Sequence, residues 1–119
     1  MAKKTILLID DEPELVQMVK LRLEANDYIV VSASDGREGM QKAIVEKPDL
    51  IILDILMPNK DGYTFLREAK ADEILKKIPV IILTAKSGMK DLFALEGVND
   101  YILKPFDTKE LLNTIKKHI

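Results

Sequence analysis

Four short apolar runs, each followed by a polar residue, dominate the pattern along the chain. Branched side chains fill positions 6–9, 50–53 and 80–83, and three more apolar residues stand at 101–103. An unbroken run of this length is typical of a strand that is covered on both faces, as in a parallel sheet. The pattern therefore predicts four buried strands, and the polar residues at their ends become the first candidates for function.

Apolar residues also recur at helical spacing between and after these runs. The predicted buried faces are Leu15, Val16, Val19 and Leu23; Met40, Ala43 and Ile44; Phe65, Leu66 and Ala69; Leu92, Phe93 and Leu95; and Leu111, Leu112, Ile115 and Ile119. Pro13 suits the first turn of a helix, and Asp35 and Asp107 each precede a glutamate by three positions, as helix caps do.

A further strand is predicted at 28–33, at an edge of the sheet because no candidate site residue follows it. Five strands that alternate with helices indicate an α/β fold with right-handed crossovers. The predicted architecture is a single doubly wound (βα)5 domain over residues 1–119, with a parallel five-stranded sheet. The length of 119 residues suits one compact core.

Composition narrows the classes of function. The net charge of −2 gives no electrostatic footprint for nucleic acid or for an anionic membrane. The absence of cysteine excludes a disulfide framework and a thiolate metal site. The N-terminus has no apolar signal region, and no apolar stretch approaches transmembrane length, so a cytoplasmic protein is expected.

The strand ends carry the candidate chemistry. Parallel sheets place ligands at the carboxyl ends of their strands, so these residues are expected to converge: Asp10, Asp11, Asp54, Thr84 and Lys104. Clustered carboxylates repel one another and need a compensating cation, and oxygen ligands suit Mg²⁺. An aspartate can itself accept a phosphoryl group, while an ammonium and a hydroxyl neutralise the transferred oxygens. The pattern predicts that Asp54 accepts a phosphoryl group.

The same residues resemble the receiver domain of two-component response regulators, and the resemblance covers the whole chain. The matching motifs are Asp10-Asp11, Asp54 with Met57-Pro58 and Asp61-Gly62, Thr84-Ala85, and Tyr101 with Lys104-Pro105-Phe106. The resemblance implies a flavodoxin-like fold with strand order 2-1-3-4-5. It also implies a histidine kinase or a histidine phosphotransfer protein as the phosphoryl donor and an unidentified downstream protein as the partner of the modified domain.

The resemblance assigns a role to each matching position. Asp54 resembles the phosphoacceptor. The Mg²⁺ ligands would be Asp11 directly, Asp10 mainly through water, and the backbone carbonyl of Leu56. Lys104 would pair with the phosphoryl group, and its bond to Pro105 is expected to be cis.

The remaining roles concern switching and rate. Thr84 and Tyr101 resemble the hydroxyl and the aromatic ring that move on phosphorylation, and Ala85 resembles the small residue that leaves room beside the site. The domain would catalyse its own phosphorylation and dephosphorylation without turning over a small substrate. Thr84 and Lys104 are 104 − 84 = 20 positions apart, which is shorter than is usual for this family and predicts a trimmed segment around the predicted helix at Leu92.

Other functions fit the sequence less well. A non-phosphorylated interaction module with a degenerate site would not need the full set of site residues. A flavin carrier needs a phosphate cradle after the first strand, where Asp10-Asp11-Glu12 would repel a phosphate. A phosphatase of the haloacid dehalogenase type would need a second aspartate where Leu56 stands. His118, near the C-terminus, is predicted to be an exposed residue rather than a phosphotransfer histidine.

Overall fold

The structure is a computed structural model of the chain, and it describes residues 3–55, 62–85 and 97–119. The strands are β1 (Thr5–Ile9), β2 (Ile29–Ala33), β3 (Leu50–Leu53), β4 (Val80–Thr84) and β5 (Asp100–Leu103). The helices are α1 (Pro13–Glu24), α2 (Gly36–Glu46), α3 (Gly62–Ala71) and α4 (Thr108–His118), with a short 3-10 turn at Leu75–Lys77. The alternation of strands and helices confirms the predicted α/β class.

All five strands join one parallel sheet in the order β2-β1-β3-β4-β5. The register aligns Ile9 of β1 with Leu53 of β3, so the residues that follow these two strands emerge side by side. β2 lies at an edge, as predicted, and the strand order is the one that the resemblance implies. The carboxyl ends of the strands thus meet at one rim of the sheet.

Side chains alternate between two apolar layers along each strand. Leu7 and Ile9 of β1 belong to the layer beneath α2 and α3, while Ile6 and Leu8 belong to the layer beneath α1 and α4. All four side chains are fully buried. Burying a side chain of this size contributes roughly 1.5–3 kcal/mol. This double coverage explains why the strands read as unbroken apolar runs.

The predicted helix caps are present. Asp35 accepts a hydrogen bond from the backbone N–H of Glu38 at 2.9 Å, and Asp107 accepts one from the N–H of Glu110 at 2.7 Å. These bonds satisfy N–H groups that the first turn of a helix leaves unpaired. The helical stripes of α1, α3 and α4 are buried or half-buried as predicted.

The prediction that Ile44 lies on the buried face of α2 was wrong. Ile44 is 55% exposed, whereas Gly39 and Ala43 are buried against the sheet. A Cβ atom added at Gly39 would lie 2.6 Å from Cδ1 of Ile9. α2 therefore approaches β1 through small residues, and this close approach leaves the bulkier Ile44 at the rim of the contact.

Some predictions fall outside the described residues, namely the helix at Leu92, Phe93 and Leu95 and the trimmed segment around it. Within the described ranges, no helix is long and apolar enough to cross a lipid bilayer.

Candidate functional site

The candidate site lies where the strands end at their carboxyl edge. The backbone N–H of Asp54 donates to the carbonyl of Ile9 at 2.9 Å, and that of Asp10 donates to the carbonyl of Ala33 at 3.0 Å. The N–H of Lys104 donates to the carbonyl of Thr84 at 2.8 Å. Each of these three residues thus extends the sheet ladder by one hydrogen bond, so the sheet fixes the backbone from which its side chain projects.

Three carboxylates meet at this edge. Asp10, Glu12 and Asp54 each offer an oxygen, and these oxygens lie within 4.8 Å of one another. Asp10 is 2% exposed and Asp54 is 5% exposed. Charges so close in a partly dry pocket repel one another strongly unless a cation intervenes.

Lys104 supplies the one cation that the described residues place within ion-pair distance of all three acids. Its Nζ lies 2.9 Å from Oδ2 of Asp10, 2.8 Å from Oε1 of Glu12 and 3.6 Å from Oδ2 of Asp54. The Lys104 side chain is only 12% exposed. Among the described residues a single positive charge is therefore shared by three negative ones, which leaves an excess of negative charge in this group.

The electrostatics of the buried pair follow from this sharing. Burial raises the pKa of Asp10 above its ordinary value, although hydrogen bonds from Lys104 and from the N–H of Glu12 lower it. Burial alone would lower the pKa of Lys104, but its hydrogen bonds to Glu12 and Asp10 outweigh that effect and raise it. Lys104 is thus protonated at neutral pH, while the charge on Asp10 carries a desolvation cost.

The donor set fits Mg²⁺. Two buried carboxylates and one exposed carboxylate present only oxygen ligands, which hard divalent ions prefer. Mg²⁺ keeps several waters when it binds to proteins, and a pocket open at Glu12 leaves room for them. Such an ion would balance the negative charge that the three carboxylates carry in excess of Lys104.

The structure brings some of the other predicted residues to this edge. Thr84 ends β4 and is fully buried. Tyr101 lies half-buried on β5, paired in register with Ile82. The peptide bond between Lys104 and Pro105 is cis, as predicted.

Two predicted metal ligands do not join the acidic group. Asp11 is exposed, and its carboxylate is not among the three whose oxygens lie within 4.8 Å. It lines a small pocket on the β2 side of the site together with Asp10 and Ser32. Leu56, whose carbonyl was predicted as a ligand, lies outside the described residues. The roles of Asp11 and Leu56 remain predictions.

No site role was predicted for Glu12 from the sequence, but in the structure its carboxylate forms an ion pair with Lys104. Its position directly after Asp10 and Asp11 could have suggested a site role. Acidic residues are common before a helix, however, and helix stabilisation was enough to explain Glu12. The contact depends on how far the residue that follows β5 reaches across the carboxyl ends of β4 and β3 toward the start of α1, and the pattern along the chain does not specify that distance.

Gly62 belongs to a motif that the sequence analysis named, but its structural role was not predicted. It begins α3, and a Cβ atom there would lie 2.5 Å from Cα of Ile55 and 2.7 Å from the carbonyl oxygen of Asp54. Its N–H also donates to the carbonyl of Ile55 at 3.1 Å. The first turn of α3 therefore presses directly on the backbone that carries Asp54.

His118 is not the exposed residue that the sequence predicted. It is half-buried, with Nε2 at 3.1 Å from Oδ2 of Asp100 at the start of β5. Burial raises the pKa of Asp100, but hydrogen bonds from His118 and from the N–H of Tyr101 outweigh that effect and hold the pKa below its ordinary value. The contact is remote from the acidic group and gives no sign of phosphotransfer.

An open groove of about 510 Å³ lies beside the acidic group. Glu12, Ala85, Lys104 and Phe106 contribute to its walls. The groove therefore opens next to the Lys104 ammonium and the exposed carboxylate of Glu12.

Comparisons with known proteins agree with this geometry. A family model described as the response regulator receiver domain matches residues 6–116. The chain is 39% identical over 115 residues to the alkaline phosphatase synthesis transcriptional regulatory protein PhoP of Bacillus subtilis (strain 168). The matched region covers 95% of this chain and 47% of that protein. The chain thus spans about half the length of the curated relatives it matches.

Solved structures match over nearly their full length. The chemotaxis protein CheY4 of Vibrio cholerae has a TM-score of 0.92 at 30% identity and covers 99% of this chain and 100% of its own. The response regulator TrrA of Thermotoga maritima, solved in complex with Mg²⁺ and BeF, has a TM-score of 0.88 at 32% identity and covers 98% of this chain and 99% of its own.

Proposed function

Because the chain belongs to the family of response regulator receiver domains of two-component systems, we propose that Asp54 is its phosphoacceptor. The observation that carries this proposal is the position of Asp54, which is buried at the end of β3 and faces the Lys104 ammonium at 3.6 Å. A nucleophilic carboxylate needs positive charge beside the incoming phosphoryl oxygens, and Lys104, which follows β5, would provide it.

Mg²⁺ is the proposed cofactor. Asp10 and Asp54 would hold it, together with Asp11 and the carbonyl of Leu56, as the resemblance implies. When bound, the ion neutralises charge on the phosphoryl oxygens and lowers the barrier to transfer. The closeness of the Asp10 and Asp54 oxygens, which lie within 4.8 Å of each other and of a Glu12 oxygen, supports this proposal.

The proposed reaction forms one bond and breaks one. A carboxylate oxygen of Asp54 attacks phosphorus, and the bond between phosphorus and the nitrogen of a donor phosphohistidine breaks. The leaving imidazole nitrogen takes up a proton, and Asp54 becomes an acyl phosphate. Lys104 would then pair with the phosphoryl oxygens, and the Thr84 hydroxyl would donate a hydrogen bond to them. Attack of water on phosphorus restores the Asp54 carboxylate and releases inorganic phosphate.

The proposed partners are a histidine kinase or a histidine phosphotransfer protein as donor, and a downstream protein that distinguishes the phosphorylated from the resting surface. Thr84 and Tyr101 are the proposed switch residues; they lie on the paired strands β4 and β5, where Tyr101 aligns with Ile82, two positions before Thr84. The curated relatives are named as transcriptional regulators and are about twice as long as this chain. The expectation that no nucleic acid is bound directly therefore concerns this domain alone.

Phosphorylation by a small-molecule donor tests the proposal. Incubation with acetyl phosphate and Mg²⁺ is expected to add the mass of one phosphoryl group to the parent protein, and Asp54→Asn is expected to abolish the gain. Glu24→Gln, a change at the far end of α1, is the control and should leave the gain intact. An unchanged mass in the parent under conditions that saturate it with Mg²⁺ would overturn the proposal.

A further inference from the structure

The side chain of Glu12 is not used by its own helix. Glu12 is the N-cap residue of α1, yet its side chain makes no capping hydrogen bond. The backbone N–H of Glu12 is instead satisfied by Oδ1 of Asp10 at 3.0 Å. The Glu12 carboxylate reaches across the groove to Lys104, 92 positions away in the chain, at 2.8 Å.

This contact competes with Asp54 for the same ammonium. Lys104 lies 2.8 Å from Glu12 but 3.6 Å from Asp54. The first distance is that of a charge-assisted hydrogen bond, and the second is longer than such a bond. In this state Lys104 is bonded to Glu12 and Asp10, and it contacts Asp54 only as a nearby charge.

The two bonded acids differ in how easily they can release Lys104. The side chain of Asp10 is 1% exposed, so its charge would be left buried and uncompensated if Lys104 moved away. The side chain of Glu12 is 60% exposed, so water can replace the ammonium at little cost. Glu12 is therefore the partner that Lys104 can leave.

We propose that Glu12 is a positioning residue that holds the Lys104 ammonium back from Asp54 in the resting state and releases it when a phosphoryl group arrives. This proposal rests on the proposed function of Asp54. Phosphorylation then has to break the contact between Glu12 and Lys104, so the contact slows the reaction and favours the unmodified domain. Glu12 also adds negative charge beside the incoming phosphoryl oxygens, which acts in the same direction.

The size of the effect follows from the exposure of the pair. Exposed ion pairs contribute between zero and about 1 kcal/mol, which corresponds to at most about fivefold in a rate or an equilibrium constant. Glu12→Gln keeps the shape of the side chain and removes its charge. We expect Glu12→Gln to be phosphorylated by acetyl phosphate about two- to fivefold faster than the parent when both proteins are saturated with Mg²⁺.

Glu14→Gln is the matched control. Glu14 is an exposed acid in the first turn of the same helix, and no ion pair joins it to Lys104 in the described part of the chain. The control reports any general effect of removing one negative charge from this end of α1, and it should be phosphorylated at the rate of the parent.

A second readout uses no phosphoryl donor and no metal. In protein with isotope-labelled lysine, the side-chain NMR signals of Lys104 are assigned by their loss in Lys104→Met. Without Mg²⁺, Glu12→Gln is expected to shift these signals, and Glu14→Gln is expected to leave them in place. A purely structural role of Glu12 at the start of α1 would not move the Lys104 signals.

The outcomes separate this proposal from the proposed function. A faster reaction of Glu12→Gln together with shifted Lys104 signals supports the role of Glu12. Equal or slower phosphorylation of Glu12→Gln, with the parent phosphorylated normally, overturns that role alone, as do unmoved Lys104 signals. No phosphorylation of the parent overturns the proposed function itself and the role of Glu12 with it.

Discussion

Replacing Gly62 by alanine tests whether the start of α3 is fixed against the backbone of Asp54. The added Cβ would lie 2.5 Å from Cα of Ile55 and 2.7 Å from the carbonyl oxygen of Asp54. Both atoms belong to the backbone, which continues from the buried strand β3, so neither can rotate away as a side-chain end would. Either α3 or the segment that carries Asp54 has to move.

The cost of Gly62→Ala is that of overpacking a buried contact, typically about 1–3 kcal/mol of the free energy of unfolding. Any gain in helix propensity from alanine is at most about 1 kcal/mol and is smaller at the first residue of a helix than in its interior. With a urea m-value of about 1–3 kcal/mol per molar for a small protein, a loss of 2 kcal/mol lowers the midpoint by about 1 M.

Gly39→Ala is the control, because it meets an equally close but softer neighbour. Its Cβ would lie 2.6 Å from Cδ1 of Ile9, the far end of a flexible side chain. Reorientation of Ile9 relieves part of that clash, and the interior of α2 gains helix propensity from alanine. We therefore expect Gly39→Ala to lose less stability than Gly62→Ala.

Urea unfolding followed by circular dichroism measures both variants against the parent in the absence of Mg²⁺. We expect the two variants to have the m-value of the parent and Gly62→Ala to have the lowest midpoint. A Gly62→Ala protein that unfolds at the same urea concentration as the parent, or at a higher one, would refute the close approach of α3 to Asp54.

Two further predictions concern the charged contacts. Lys104→Met removes the cation shared by the acids, and we expect it to lower the free energy of unfolding at neutral pH without Mg²⁺ by about 1–3 kcal/mol. This is less than the usual cost of breaking a buried ion pair, because one of the partners, Glu12, is exposed to water. The loss should shrink in urea titrations at lower pH, because Asp10, whose pKa is already raised, then takes up a proton; a loss that grows on acidification would contradict this. Asp100→Asn should cost less than about 1 kcal/mol at neutral pH. Because the pKa of Asp100 is lowered in the folded protein, its contribution is present above the unfolded-state pKa and is lost as the pH falls through the folded-state value. A difference between Asp100→Asn and the parent that persists in strong acid would count against the contact with His118.

The fold was largely predictable because double burial leaves a simple mark on the sequence. Strands covered on both faces appear as apolar runs, and the polar residues that end them are the site candidates. The strand order was not derivable in this way. It came from resemblance to a known family, since a run of apolar residues does not state which strand is its neighbour in the sheet.

The residues whose roles were predicted wrongly or not at all have one feature in common: their roles depend on how closely helices and strands approach one another. Ile44 fits the helical stripe of α2, but small residues bring that helix so close to β1 that Ile44 stays at the rim. His118 looked like a terminal polar residue, and its partner Asp100 is placed beside it only by the packing of α4 against β5. Glu12 and Gly62 likewise owe their roles to contacts across the rim of the sheet. Periodicity fixes which face a residue takes, but it does not fix these separations.

The central claim is that Asp54 accepts the phosphoryl group, and locating the modified residue tests it most directly. The protein is treated with acetyl phosphate and Mg²⁺, the acyl phosphate is reduced with borohydride, and the peptides are sequenced by mass spectrometry. The account predicts that the reduced residue is at position 54 and that chelation of Mg²⁺ before treatment abolishes the reduction. An unmodified Asp54 alongside a phosphoryl group on another residue would contradict it.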